Sequence, residues 1–236
     1  MVLGMNLPHS RDGILYSRDD QVKIACNDCK GCQHCCENMD DTIVLDPFDV
    51  WQLTHRLTVS GGEKVTFELL ISEDGPLALG NYDGMILPHI KMVATDREDV
   101  GACPFLSEGR CSIHFCRPGI CRLYPLGRIF IEKNEKAEIG YIILDKELGC
   151  NIQDTYHIKV SDWLEIADER YDDFLVKWHQ LKKAMISQIE SGKFDVDSKE
   201  YMQMQTEILR VFFFTPYGND FFKEFDERFE RLGKGR

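Results

Sequence analysis

The chain has 236 residues, a net charge of −12, a pI near 5.0, 43% hydrophobic residues and 11% aromatics. That acidity argues against nucleic-acid binding, which rests on Lys and Arg meeting phosphates, and no run of eighteen or more apolar residues offers a membrane span. The apolar content is enough for one large core or a core with an appendage. Ten cysteines, with no basic start followed by an apolar run in residues 1–20, predict a metalloprotein of the cytoplasm.

Residues 1–25 are mixed and lead into Cys26–Cys36, which reads CNDCKGCQHCC and holds five of the ten cysteines. Thr42-Ile43-Val44-Leu45 follows as a short strand candidate, being rich in β-branched residues. Asp46-Pro47 then reads as a helix start, with Asp as N-cap and Pro at the first helical position. Lys64 to Ile71 is a weaker helix candidate. Residues 85–93 look extended, and Pro88 favours an edge position. The second cysteine-rich stretch, Cys103 to Cys121, reads CPFLSEGRCSIHFCRPGIC. Within it Glu108-Gly109 predicts a turn between two short strands, and Pro118 opens a helical turn carrying Cys121 and Arg122. Gly127 to Lys133 and Ala137 to Leu144 alternate apolar and polar residues around Asn134-Glu135, which predicts a hairpin.

Cys150 is the last cysteine, and from Ser161 the pattern turns helical. Asp162 with Glu165 resembles a capping box in its acidic variant. Trp163, Ile166, Ala167, Phe174, Trp178, Leu181, Met185 and Ile189 recur at helical spacing up to Gly192. A second helix is predicted over Ser198 to Phe214 and a third after Asp220. The phenylalanines of these helices fit a packing core better than a pocket lining. The expected fold class is α+β: a loop-rich cysteine-cluster metal module with a small antiparallel sheet over residues 1–155, and a helical extension over 156–236 packed on it.

The chemistry lies in the cysteines. Cys26, Cys29, Cys32 and Cys35 repeat every third residue, and Cys36 follows directly. Thiolates select zinc, copper(I) or iron–sulfur clusters, and the turn residues Asn27-Asp28 and Gly31 let such a loop wrap a metal. Disulfides are the competing reading, but they are rare in reducing compartments, and a close-packed C-x2-C run is a poor disulfide framework. Cys103, Cys111, Cys116, Cys121 and Cys150 complete the candidate ligand set. One structural zinc takes four ligands, whereas two [4Fe–4S] clusters take eight. Cys26, Cys29, Cys32 and Cys36 match the spacing of bacterial ferredoxins, except that Glu37 stands where those have Pro. Zinc and iron–sulfur therefore both remain open. His34 and His114 are alternative ligands within the two stretches. Arg117 and Arg122, with Tyr124 beside them, are candidate cofactor-binding residues, because arginines favour thiolate over thiol and can hold an anion.

Taken in order, Cys29-x2-Cys32-x2-Cys35-Cys36, Cys103-Pro104-Phe105-Leu106, Cys111-Ser112-Ile113 and Arg117-Pro118-x2-Cys121-Arg122-x-Tyr124-Pro125 resemble the CxxCxxCC cysteine-cluster family. This is the YkgJ-type group of zinc- or iron-chelating proteins, and the resemblance covers roughly Cys26 to Cys150. Cys26 and Cys116 are additional to the family pattern, and His114 stands where it usually has Tyr. The family also includes flagellin lysine N-methylases. The resemblance therefore implies a metal ion as partner. As an alternative it implies an iron–sulfur enzyme that uses S-adenosylmethionine to methylate a protein substrate. The chain has no glycine-rich dinucleotide fingerprint, so such a cofactor would need a site of another kind.

Overall fold

The computed structural model describes residues 7, 9–24, 34–58, 61–97, 100–133, 136–144 and 155–234. In chain order the elements are β1 (Gln21–Ile24), a 3-10 turn (His34–Cys36), α1 (Pro47–Arg56), α2 (Phe67–Leu70), β2 (Leu77–Tyr82) and β3 (Met85–Ile90). Next come β4 (Val93–Ala94), β5 (Gly101–Ala102), β6 (Leu106–Ser107), β7 (Arg110–Cys111), a second 3-10 turn (His114–Cys116) and α3 (Gly119–Leu123). The chain ends with β8 (Leu126–Lys133), β9 (Lys136–Ile143), β10 (Tyr156–Lys159), α4 (Val160–Leu164), α5 (Arg170–Glu190), α6 (Lys199–Leu209), a π-helical turn (Arg210–Phe214) and α7 (Phe221–Lys234). Helices and small two-stranded antiparallel sheets coexist, and the C-terminal part is helical, so the class is α+β. The chain folds into two compact units, one of Met1–Met39 with Val93–Asp172, the other of Asp40–Met92 with Asp173–Arg236.

The first unit is built on the hairpin β8–β9, paired from Leu126↔Ile143 to Lys133↔Lys136. The stretch before β1 runs along β9, where Tyr16 and Tyr141 exchange backbone hydrogen bonds at 2.8 Å. β1 itself pairs with β10, in the register Gln21↔Lys159 to Ile24↔Tyr156. Val22 and Ile24 alternate inward and pack with Leu126, Tyr141, Ile143, Val160, Trp163 and Leu164. The Trp163 indole N–H is satisfied by the Leu123 carbonyl at 3.3 Å. Arg18 ties the rim, pairing with Asp172 at 2.8 Å and donating to the Ile166 carbonyl.

The second unit is aromatic. Asp46 caps α1 with a full capping box, accepting from Asp49 N at 2.9 Å while the Asp49 side chain accepts from Asp46 N, and Pro47 follows as predicted. Thr66 caps the short α2. β2 and β3 are joined by Asp83 (φ 51°) and Gly84 (φ 73°), the left-handed pair of a two-residue hairpin turn. A Cβ at Gly84 would meet the δ-methyl of Ile189 in α5, and the left-handed backbone there favours glycine as well. Gln205 of α6 is buried and fixes the same hairpin, accepting from Ile86 N at 2.8 Å and donating to the Gly84 carbonyl at 2.9 Å. Phe48, Phe174, Phe221 and Phe225 form the centre, with Phe174 meeting Phe225 edge-on at 4.7 Å and Phe48 meeting Phe221 at 5.2 Å. The phenylalanines of α7 thus serve as core, as their spacing indicated.

Several local expectations need correcting. Asp162 lies inside α4 rather than at its cap, which is Lys159, and Glu165 ends the helix in the left-handed region at φ 53°. One long helix from Ser161 is therefore two, α4 and α5. The reason is tertiary: Glu165 is drawn to Arg122 and Arg117. Thr42–Leu45 forms an isolated bridge, Val44↔His89, rather than a strand, although Leu45 N still reaches the Pro88 carbonyl at 2.8 Å. The second C-terminal helix ends in a π turn, because Thr215 N bonds the Arg210 carbonyl five residues back at 2.9 Å.

Candidate metal centre

The two cysteine stretches meet through the backbone. Asn38 N donates to the Gly101 carbonyl at 2.8 Å, Glu37 bridges Ala102, and Cys103 N donates to the Cys36 carbonyl at 2.7 Å. The Asn38 side chain adds a bond from Gly101 N at 3.2 Å. This short antiparallel zipper holds the 3-10 turn carrying Cys35 and Cys36 against the start of the second stretch. From Cys103 the chain turns at once, with Leu106 N bonding the Cys103 carbonyl at 2.9 Å. It then enters the hairpin β6–β7, in which Leu106 pairs with Cys111. Glu108 (φ 49°) and Gly109 (φ 72°) make the tight turn that the sequence predicts. The hairpin returns Cys111 toward Cys103.

Cys103 sits half-buried beside two other thiols. Burial pushes its thiol up to about 11, and the neighbouring Cys111 and Cys35 push in the same direction. The backbone amides of Phe105 and Leu106 donate to the sulfur and pull the other way. Amides aimed at a sulfur stabilise thiolate, while burial and two neighbouring thiols oppose it without a counter-charge. A bound soft divalent metal would resolve that conflict, since coordination deprotonates a thiol outright. Cys35, Cys103 and Cys111 thus share one neighbourhood, and thiols are the donors that soft metals select.

The remaining candidates follow on short turns. Cys116 is 0% exposed at the end of the second 3-10 turn, and Cys121 is half-buried in α3, opened by Pro118 as its N-cap. Arg117 and Arg122 are each 3% exposed. Arg122 pairs with Glu165 at 2.9 Å and Arg117 with the same carboxylate oxygen at 3.5 Å, while Arg122 also donates to the Arg117 carbonyl at 3.2 Å. Arg117 lies 2.6 Å from His114 Nε2. Arginine can only donate, so that nitrogen accepts and the imidazole is neutral with its proton on Nδ1. The Nε2 lone pair of His114 is thereby committed to Arg117. Tyr124 is the C-cap of α3, its N–H 3.4 Å from the Ile120 carbonyl. Glu165 was not legible as part of this cluster, because its link to Arg117 and Arg122 spans more than forty residues and no local pattern marks it.

Cys26, Cys29, Cys32 and Cys150 lie outside the described residues, as does the Asn134-Glu135 turn of the long hairpin. Among the described residues no group of three or more His, Cys, Asp or Glu stands in ligating geometry. No helix among them is long and apolar enough to cross a membrane.

Residues 28–142 match the family model CxxCxxCC, described as "Putative zinc- or iron-chelating domain". The match opens inside the first cysteine run and closes within β9, so it spans both cysteine stretches and the hairpin between them. No curated protein and no solved structure matches the chain.

Proposed function

With residues 28–142 belonging to the CxxCxxCC family, we propose that this protein binds a zinc or iron centre through thiolates drawn from both cysteine stretches. The observation that carries the reading is Cys103, whose backbone is bonded to Cys36 and whose half-buried thiol lies within electrostatic reach of Cys35 and Cys111. On this reading Cys26, Cys29, Cys32 and Cys36 complete the ligands from the first run, and Cys116, Cys121 and Cys150 serve a second centre or support the first. Arg117 and Arg122, next in sequence to Cys116 and Cys121, favour the thiolate form. A bound metal would supply the charge that lets these thiols ionise, and the chain would supply the preset amides and the arginines. A reducing compartment such as the cytoplasm keeps the thiols available.

The test is anaerobic purification, elemental analysis and an ultraviolet–visible spectrum, repeated on Cys103→Ser. Stoichiometric zinc in a colourless protein, or iron with acid-labile sulfide in a brown one, supports the reading and names the metal. Wild-type protein without stoichiometric metal overturns it, and so does Cys103→Ser with unchanged metal content. Methyl transfer from S-adenosylmethionine rests on the resemblance alone, and calorimetry with the metal-loaded protein decides it.

A further inference from the structure

The second unit carries a groove of about 580 Å³ walled by α6, the π turn and α7. That volume lies in the range of about 300–1,000 Å³ over which proteins hold small molecules. Glu200, Gln203, Met204, Glu207 and Val211 line it at helical spacing, so one face of α6 continues into the π turn along the groove. The other face, with Tyr201, Ile208 and Phe212, is buried. Arg228 and Arg231 line the groove from α7. The π turn itself is a rare element that recurs at functional sites.

The apolar part of the wall is gathered rather than scattered. Phe194, Met204, Val211 and Leu232 are each half-buried, so each keeps apolar surface open, and all four line this one concavity. The charges on the wall divide into committed and uncommitted groups. Glu207 takes two bonds from Arg210, at 2.8 and 2.6 Å, and the two neutralise each other. Arg228 donates to the Val211, Thr215 and Pro216 carbonyls at 2.8, 2.7 and 2.7 Å. Arg231 donates from Nε to the Glu227 carbonyl of its own helix at 3.2 Å. That bond anchors the side chain and leaves its two terminal nitrogens without a partner among the described residues. The Glu200 carboxylate makes no hydrogen bond or ion pair among them either.

The ligand's chemistry follows from what is uncommitted. A guanidinium fork takes a carboxylate on two parallel bonds, and a carboxylate takes an ammonium. A purely anionic ligand such as a nucleotide would meet Glu200 and Glu207 as like charges, and a purely cationic one would meet Arg231. A zwitterion with an apolar body satisfies both helices and covers the apolar wall between them. From residue 200 to 211 the lining runs about 16 Å, which leaves room for an extended dipeptide of about 7 Å together with its two charged partners. We propose that this groove binds a short apolar peptide with free termini, its ammonium on Glu200, its carboxylate on Arg231 and its side chains on the apolar wall. The site uses no cysteine and stands independently of the metal centre.

The test uses the full chain, with carbon-13 in the methionine methyl groups and the Met204 resonance as reporter. Phenylalanyl-leucine should shift that resonance saturably. Its C-terminal amide and its N-acetyl form each lack one charge, and each should bind at least about fivefold more weakly. Glycylglycine, which has both charges and no apolar body, should give no saturable shift. Arg231→Gln should weaken the free dipeptide about fivefold and leave the amide unchanged, and Glu200→Gln should do the same relative to the N-acetyl form. No saturable shift with phenylalanyl-leucine overturns the proposal. So does equal affinity for the free dipeptide and either blocked form, or binding of glycylglycine as tight as that of phenylalanyl-leucine. The wild-type comparisons decide the matter even if a variant fails to fold.

Discussion

The two units are held together by different means. The second has a dense centre in which Phe174, Phe221 and Phe225 meet ring on ring, with helices capped by Asp46, Thr66, Ser198 and Asp220. The first joins β8–β9 and β1–β10 over one apolar cluster, and its cysteine region rests on strands of two residues each. Two-residue strands cannot stabilise themselves. The comparison teaches that one unit is organised by burial, while the cysteine region of the other rests on strands too short to hold themselves, where the proposed metal centre would act as the cross-link.

The largest effect should come from chelating the metal of the proposed centre. In small zinc-folded domains metal binding is worth on the order of 10 kcal/mol. Anaerobic chelation should therefore accelerate amide exchange at 101–111 by orders of magnitude, with α5 to α7 still protected. Hydrogen-exchange mass spectrometry of the full chain reads both at once, and equal protection of 101–111 with and without chelator would break the contrast. Next is Arg228→Met, which strands the Val211, Thr215 and Pro216 carbonyls in the aromatic unit. A loss of about 3–5 kcal/mol is expected in urea unfolding. Arg228→Lys should recover only part of it, because an ammonium cannot span three carbonyls as a guanidinium does.

A smaller effect is alkaline. Burial lifts Tyr141 from 10.0 to about 12 in the folded state, and Asp172 adds to it. The folded protein thus holds the proton more tightly, so this contribution is complete below pH 10 and is lost as pH rises through 12. Tyr141→Phe should remove about 2–3 kcal/mol of the alkaline loss of stability, measured as urea midpoints across that window. The smallest is Asp46→Ala, which deletes the capping box of α1 and should cost about 1 kcal/mol, a few degrees of Tm by circular dichroism.

Sequence legibility follows the range of the interaction. Asp46-Pro47, Glu108-Gly109, Ser198 and Asp220 act on residues two to four positions away, and each stands where its chemistry indicated. Asp83-Gly84 carried the same hairpin signal as Glu108-Gly109, and reading it would have found β2–β3. β10 was not legible, because Tyr156–Lys159 alternates only weakly and owes its pairing to Gln21–Ile24 at the other end of the unit. Glu165 shows the same limit, since a distant pair of buried arginines outweighs a local capping pattern. For the candidate centre, spacing identified the residue types, but the bond from Cys103 to Cys36 and the amides directed at the Cys103 sulfur required coordinates.

The pairing of β1 with β10 has a consequence during synthesis. The two strands flank both cysteine stretches in the chain, so the ribosome releases β1 and the first cysteine run long before the strand that pairs with β1. At elongation rates of about 5–20 residues per second that interval is on the order of ten seconds. Throughout it the nascent thiols stand open to whatever metal or oxidant the surrounding medium offers.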